Sequence, residues 1–235
     1  MNPLTILPGW ALGRGPLQAT ADALGARLID LPGYGETPPA ASFDAAVDAL
    51  ADSLAPGTPL AGWSLGAMLA LAIAARHPQK VGKLLLIAGT VSFVQRDGWP
   101  DAMPPATLAE FAGAIAADAA AMLPRFVGGF NRGDSRARET SAEILALATL
   151  PASDVLLSGL DWLRDTDLRA DAGRVAAPTL LVQGSTDPLM PLAAGNVLAA
   201  MIPGARLCVL DDCAHAPFLS HPAEFRAIVA DFLHA

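Results

Sequence analysis

Pro59-Leu60-Ala61-Gly62-Trp63-Ser64-Leu65-Gly66-Ala67 is the stretch that decides the reading of this chain. A short apolar strand runs through G-x-S-x-G straight into a helix pattern that continues to Arg76. The flanking glycines allow a turn so sharp that a strained Ser64 lifts its hydroxyl above a sheet, with a helix N-terminus beneath it. A serine hydroxyl is a weak nucleophile until a base takes its proton, and the oxyanion formed on attack needs N–H donors already in place. The N–H of Leu65, at the helix start, is one expected donor. As a bare pattern G-x-S-x-G arises by chance. The strand before it and the helix after it set this one apart from an ordinary Gly-rich turn.

A nucleophilic serine predicts an acid and a histidine further along, in the order Ser, Asp or Glu, His. Both occur just past apolar runs. Thr179 to Gln183 is followed by Gly184-Ser185-Thr186-Asp187-Pro188, and Leu207 to Leu210 by Asp211-Asp212-Cys213-Ala214-His215. Loops at the carboxyl ends of parallel strands are where open α/β sheets bind ligands. His215 is expected to take the Ser64 proton, and Asp187 to fix its tautomer and stabilise the imidazolium. His77, His221 and His234 read as helix-end or exposed residues. Asp211 and Asp212 lie too near His215 in sequence to reach its far ring nitrogen easily, and Asp167 falls in a different segment. A second oxyanion donor is expected from Leu7-Pro8-Gly9-Trp10, where Gly9 permits close backbone approach and the N–H of Trp10 can face the substrate.

Further outward, short apolar runs alternate with helical patterns, the signal of an α/β protein with a mostly parallel central sheet flanked by helices. Strands are expected at Leu4–Leu7, Arg27–Leu31, Pro59–Ala61, Lys83–Ala88, Thr179–Gln183 and Leu207–Leu210. Helices are expected at Phe43–Leu54, Leu65–Arg76, Ala193–Ile202 and from Pro222 onward. From Val91 to about Val175 the alternation stops and three helix patterns follow one another. The first is Leu108, Phe111, Ile115 and Met122 between the breakers Pro105 and Pro124; the others centre on Ile144, Leu147 and Leu150, and on Val155, Leu156, Leu160 and Leu163. This divides the chain into a core, 1–90 and 176–235, and an inserted helical lid, 91–175.

Composition narrows the function classes. With 53% hydrophobic and 16% charged residues the chain is too apolar for disorder. Its 15 Lys and Arg against 23 Asp and Glu give a net charge of −8, unlike a duplex nucleic-acid binder, whose affinity comes largely from cations on phosphate. The longest uncharged apolar run, Leu65 to Ala75, is far short of the ~18–20 residues of a membrane span, and Met1 to Trp10 has no signal-peptide pattern. A cytoplasmic protein without membrane partner is the resulting expectation. Cys208 and Cys213 read as structural thiols, and no spacing suggests a metal site. The expected chemistry therefore needs no cofactor and no metal.

Ser64, Asp187 and His215 in this strand context resemble the α/β-hydrolase superfamily over essentially the whole chain. A closer resemblance rests on Leu7-Pro8-Gly9-Trp10, Asp30-Leu31-Pro32-Gly33-Tyr34-Gly35, Gly62-Trp63-Ser64-Leu65-Gly66, Asp97-Gly98-Trp99-Pro100, Asp167-Leu168-Arg169 and the run from His215 to Phe225, His-Ala-Pro-Phe-Leu-Ser-His-Pro-Ala-Glu-Phe. Together these are similar to the biotin-pathway esterases that demethylate pimeloyl-acyl-carrier-protein methyl ester. The resemblance implies an α/β-hydrolase fold with a helical lid, Ser64 as nucleophile with Asp187 and His215, and backbone donors at Trp10 and Leu65. It also implies an acyl-chain site bordered by Phe126 and Phe130, and a monomer. The family usually has His-Gly where this chain has Pro8-Gly9. Its leading hairpin is expected to be reduced or absent here, and Ala142 and Leu145 stand at lid positions expected to be basic.

Residues 125–138 hold Arg125, Arg132, Arg136 and Arg138 beside a single acid, Asp134, a locally basic stretch on an acidic chain. Acyl carrier proteins are acidic, so complementary charge would speed and orient docking there; a solvated helix face is the alternative. Other readings are a general short-chain carboxylesterase, a carbon–carbon hydrolase, a menaquinone-pathway lyase, or a non-catalytic ligand-binding protein on the same scaffold.

Overall fold

The computed structural model describes residues 2–235. In chain order the elements are β1 Thr5–Leu7, α1 Gln18–Leu24, β2 Arg27–Leu28, α2 Phe43–Asp52, β3 Thr58–Trp63, α3 Leu65–Arg76, β4 Val81–Ile87 and α4 Pro105–Phe130. They continue with α5 Ala137–Leu147, α6 Ser153–Asp165, α7 Arg169–Ala172, β5 Thr179–Gly184, α8 Leu192–Met201, β6 Arg206–Leu210, α9 Pro217–Ser220 and α10 Pro222–His234. The six strands form one sheet in the order β2-β1-β3-β4-β5-β6, and every pairing is parallel. The order reverses between β1 and β3, which puts the loop after β1 beside the Ser64 turn at the carboxyl edge of the sheet.

All six expected strands are present, and their burial explains their composition. Along β5 every residue is buried, and the last four of β4 are too, as expected for strands covered on both faces by helices. The rim strands differ. β2 shrinks to two residues, Arg27 and Leu28, paired with Thr5 and Ile6 of the three-residue β1, and β6 exposes Arg206 and Val209. Residues 65–75 of α3 are buried all round, so this helix is apolar on every face rather than amphipathic. Residues 91–175 fold into α4, α5 and α6, as expected, and the short α7, which the three helix patterns did not include.

Two expectations about the lid change. Pro124 does not end its helix; α4 runs on to Phe130. The chain breaks instead at Asp118 (φ −159°, ψ 90°), whose Oδ1 accepts the Ala121 N–H at 3.0 Å and so caps a restarted helix. A proline inside a helix removes the hydrogen bond of its own N–H, and one absent bond is tolerated within this segment. The second change concerns length. By length and composition α4 is long and apolar enough to cross a bilayer, although Glu110, Asp118 and Arg125 interrupt its apolar run. In the fold it is a kinked cavity wall.

Candidate active site

The Ser64 turn is strained. Ser64 has φ 57° and ψ −117°, a left-handed conformation that costs a non-glycine residue of order 1–3 kcal/mol and persists only where its surroundings hold it. Those surroundings are specific. Ser64 N–H donates to Ile87 O at 2.9 Å, and Ser64 O accepts from Ala67 N–H at 2.9 Å and Met68 N–H at 3.2 Å. A side chain on Gly62 would collide with the Gly66 carbonyl, and one on Gly66 with the carbonyls of Leu7 and Pro8. The two glycines of the motif are thus demanded by backbone approaching backbone.

Asp187 and His215 are brought together from the ends of β5 and β6. His215 Nδ1 lies 2.8 Å from Asp187 Oδ2, with side chains 2% and 0% exposed. The other carboxylate oxygen, Oδ1, accepts the N–H groups of Leu189 and Met190, each at 2.9 Å, so the carboxylate is oriented before it meets the imidazole. Gln183 continues the support by donating its side-chain amide to the Met190 carbonyl. The imidazole sits among aromatics, with Trp63 at 5.7 Å and Phe130 at 5.2 Å between ring centroids. Trp63 Nε1 donates to the His215 carbonyl at 2.8 Å, which ties the residue before the serine to the histidine.

Ser64 and His215 line one cavity of about 460 Å³. Among the described residues Ser64 Oγ has no hydrogen-bond partner, His215 included; contacts of this kind commonly tighten when substrate binds. The walls are mostly apolar, from Trp10, Leu108, Phe111, Phe126, Phe130, Leu160 and Leu163, and Arg125 and Arg132 also border the space. That combination suits an acyl chain with a polar or anionic group at one end.

Trp10 lines the same cavity as Ser64, and Leu65 follows the serine at the start of α3. Among the described residues neither N–H has an acceptor within the protein, and the first N–H of a helix has no intrahelical partner in any case. The loop after β1 touches the serine turn: a Cβ built on Gly9 would lie 3.4 Å from Ser64 Cβ. Pro8 is buried in that loop. Its next residue but two, Ala11, has φ 70° and donates its N–H to the Tyr34 hydroxyl at 2.8 Å. Burial pushes the Tyr34 phenol up to about 12, against a smaller lowering by that hydrogen bond, so it stays neutral and holds the strained loop at working pH. The Trp10 side chain meanwhile reaches the lid, with Nε1 donating to Leu156 O at 2.9 Å and its ring edge-on to Phe126 at 5.2 Å.

All four arginines are exposed. Arg136 differs in being engaged by the protein itself: its Nη1 donates to Ser220 O at 3.1 Å and its Nε pairs with Glu139 at 3.3 Å. Residues that the sequence did not single out are Tyr34, Trp63 as a support of His215, and Asp134. Tyr34 and Trp63 both stand in quoted motifs, yet only the fold shows what they touch. Asp134 is buried near Cys213 and His221, with ligand-type atoms of the three within 4.8 Å of one another. Ser220 Oγ bridges Cys213 Sγ at 3.3 Å and His221 Nδ1 at 2.9 Å.

Both cysteines are free thiols. Burial pushes Cys213 up to about 12, so it stays a neutral thiol at pH 8. A chromogenic disulfide reagent at pH 8 is expected to react with no more than one thiol per native chain, at half-buried Cys208, and to reach the second only after denaturant. Two thiols reacting at equal rates in the native protein would contradict that environment.

A model of the alpha/beta hydrolase family matches residues 6–228. The pimeloyl-acyl-carrier-protein methyl ester esterase of Aromatoleum aromaticum is 42% identical, over 97% of this chain and 96% of that protein. The protein of the same name from Chromobacterium violaceum is 37% identical over 98% and 93%. Among solved structures, an esterase from Exiguobacterium antarcticum superposes with a TM-score of 0.91 at 23% identity, over 100% of this chain and 92% of that one, a likeness of fold. Sheet order, the glycine-flanked serine turn and the near full-length match agree: the chain belongs to the alpha/beta hydrolase family.

Proposed function

We propose that the protein is a serine carboxylester hydrolase that demethylates the methyl ester of a pimeloyl chain borne by an acyl carrier protein, in biotin synthesis. The observation that carries this reading is the union of the Asp187–His215 pair and strained Ser64 on one largely apolar cavity bordered by Arg125 and Arg132. Relatives of that name at 37–42% identity over nearly the whole chain support the substrate.

Ser64 Oγ attacks the ester carbonyl carbon while His215 Nε2 takes its proton. The backbone N–H groups of Trp10 and Leu65 donate to the oxyanion of the tetrahedral intermediate. Its collapse breaks the bond to the methoxy oxygen, which leaves as methanol with the proton from His215. A water molecule, deprotonated by His215, then attacks the acyl-enzyme. The second collapse returns the proton to Ser64 and frees the carboxylic acid. Asp187 keeps the Nδ1 proton in place and stabilises the imidazolium in both halves. Phe126 and Phe130 would line the acyl chain, and no metal or cofactor is needed for any step.

Arg125, Arg132 and Arg138 are the groups proposed to meet the acidic carrier protein, with Arg136 contributing less because Ser220 and Glu139 engage it. That reduced patch, with Ala142 and Leu145 in place of basic residues, favours a general short-chain carboxylesterase as the second reading. The two separate on one comparison, carrier-linked methyl ester against the free small methyl ester as salt rises. The carrier-linked substrate is expected to show at least tenfold higher kcat/KM at low ionic strength, with the advantage shrinking as the Debye length falls toward ~3 Å at 1 M salt. Equal values for both substrates, indifferent to salt, would leave the general esterase.

A further inference from the structure

The loop that carries His215 is held at each neighbouring residue. Cys213 O accepts from Thr186 N–H at 3.0 Å and Thr186 Oγ1 at 2.9 Å, and His215 O accepts from Trp63 Nε1 at 2.8 Å. Those supports come from the sheet edge. The residue between them is held from the lid, since Ala214 N–H donates to Asp134 Oδ2 at 2.9 Å across 80 residues of sequence. Asp134 Oδ1 accepts the N–H of Arg136 at 2.7 Å, which closes a turn in the segment joining α4 to α5. Beside it Ser135 N–H donates to Asp212 O at 2.8 Å, where Asp212 has φ 51°, and Arg136 Nη1 reaches Ser220 O. The loop is thus stitched to the lid immediately before the imidazole.

We propose that Asp134 is a positioning residue for His215, a lid carboxylate that fixes the backbone before the imidazole and so makes the reach of His215 to Ser64 depend on the seating of the lid. The inference rests on the esterase reading and adds a residue to it. Both Asp134 oxygens are spent on backbone N–H groups, and Ser220 already satisfies Cys213 and His221, which is why the cluster acts as a clamp rather than as a ligand set. Ala214 N–H is buried and has no other acceptor among the described residues. A seated lid satisfies it; a displaced lid leaves it unpaired and lets the His215 backbone drift. Small misplacements of a catalytic group cost rate steeply, up to about 10²-fold for ~1 Å.

Asp134→Ser separates the two contacts, because a serine hydroxyl can still close the local turn on Arg136 N–H but is too short to reach Ala214. On a p-nitrophenyl ester the variant is expected to lose kcat by about 10- to 100-fold with KM within about twofold, since Asp134 touches no substrate. The low-field proton resonance expected for His215 Nδ1 on Asp187 in the unaltered protein should broaden or vanish in the variant. Asp134→Asn, whose carbonyl oxygen can reach the Ala214 N–H, should recover kcat to roughly three- to fivefold below the unaltered protein. A serine variant with unaltered kcat and resonance overturns the clamp and leaves the esterase reading standing. Should that variant not fold, Asp134→Thr, whose hydroxyl is likewise too short for Ala214, with full kcat and unchanged resonance overturns it equally. An unaltered protein inert on the ester overturns the esterase reading instead, and the resonance alone then decides the clamp.

Discussion

Replacing Ser64 by alanine is expected to lower kcat by about 10⁵- to 10⁶-fold while leaving the fold intact. The proposed mechanism forms every covalent bond at Ser64 Oγ, so its removal abolishes the acyl-enzyme. What survives is the slow attack of water on an ester held against the Trp10 and Leu65 N–H groups, a residual ~10³- to 10⁴-fold over bulk water. The fold should survive because the turn is held by backbone groups. Ser64 N–H to Ile87 O and Ser64 O to Ala67 and Met68 N–H do not involve the hydroxyl. Unfolding temperature within a few degrees of the unaltered protein, alongside lost turnover of a p-nitrophenyl ester, is the expected pair of results. A variant that keeps most of its activity sinks the nucleophile assignment, and with it the elbow as the centre of the chemistry.

Asp187→Asn is expected to cost about 10⁴-fold in kcat, for a reason that lies in the second carboxylate oxygen. Asp187 Oδ1 already accepts two backbone N–H groups, from Leu189 and Met190. An asparagine must leave its carbonyl oxygen there, which turns its NH₂ toward His215 Nδ1. That nitrogen becomes an acceptor, the proton moves to Nε2, and the imidazole presents a donor to Ser64 where a base is required. KM should change little, because the substitution alters a proton and no cavity wall. Burial makes the effect severe, since side chains 0–2% exposed have no water to restore the lost charge. Turnover within tenfold of the unaltered enzyme would show that His215 does not depend on Asp187 for its tautomer.

These two residues were legible in the sequence because each lies within four residues of the end of a short apolar run. Strand composition, turn residues and the order Ser, Asp, His depend on near neighbours, and near neighbours are what a sequence displays. The same holds for the six strands, for α3 with its unbroken apolar face, and for α10 beginning at Pro222. It held less well at rims and kinks. β2 is cut to two residues beside the three-residue β1, and α4 passes through Pro124 because Asp118 provides the break and the cap in its place.

By itself, then, the sequence determined a parallel α/β sheet, a strained serine turn, the acid and histidine loops, and a helical insert between strands. Only the tertiary structure decided which way side chains in that insert face. Four arginines and one aspartate look like a basic stretch in one dimension. Folded, Arg136 turns to the carbonyl of Ser220, and Asp134 goes inward to Ala214, 80 residues away. The Tyr34 hydroxyl on Ala11 and the Trp63 indole on the His215 carbonyl, 152 residues away, are of the same kind. Periodicity and turn chemistry follow from torsion angles and adjacent contacts, whereas a buried N–H takes whatever acceptor the packing of the whole chain brings to it.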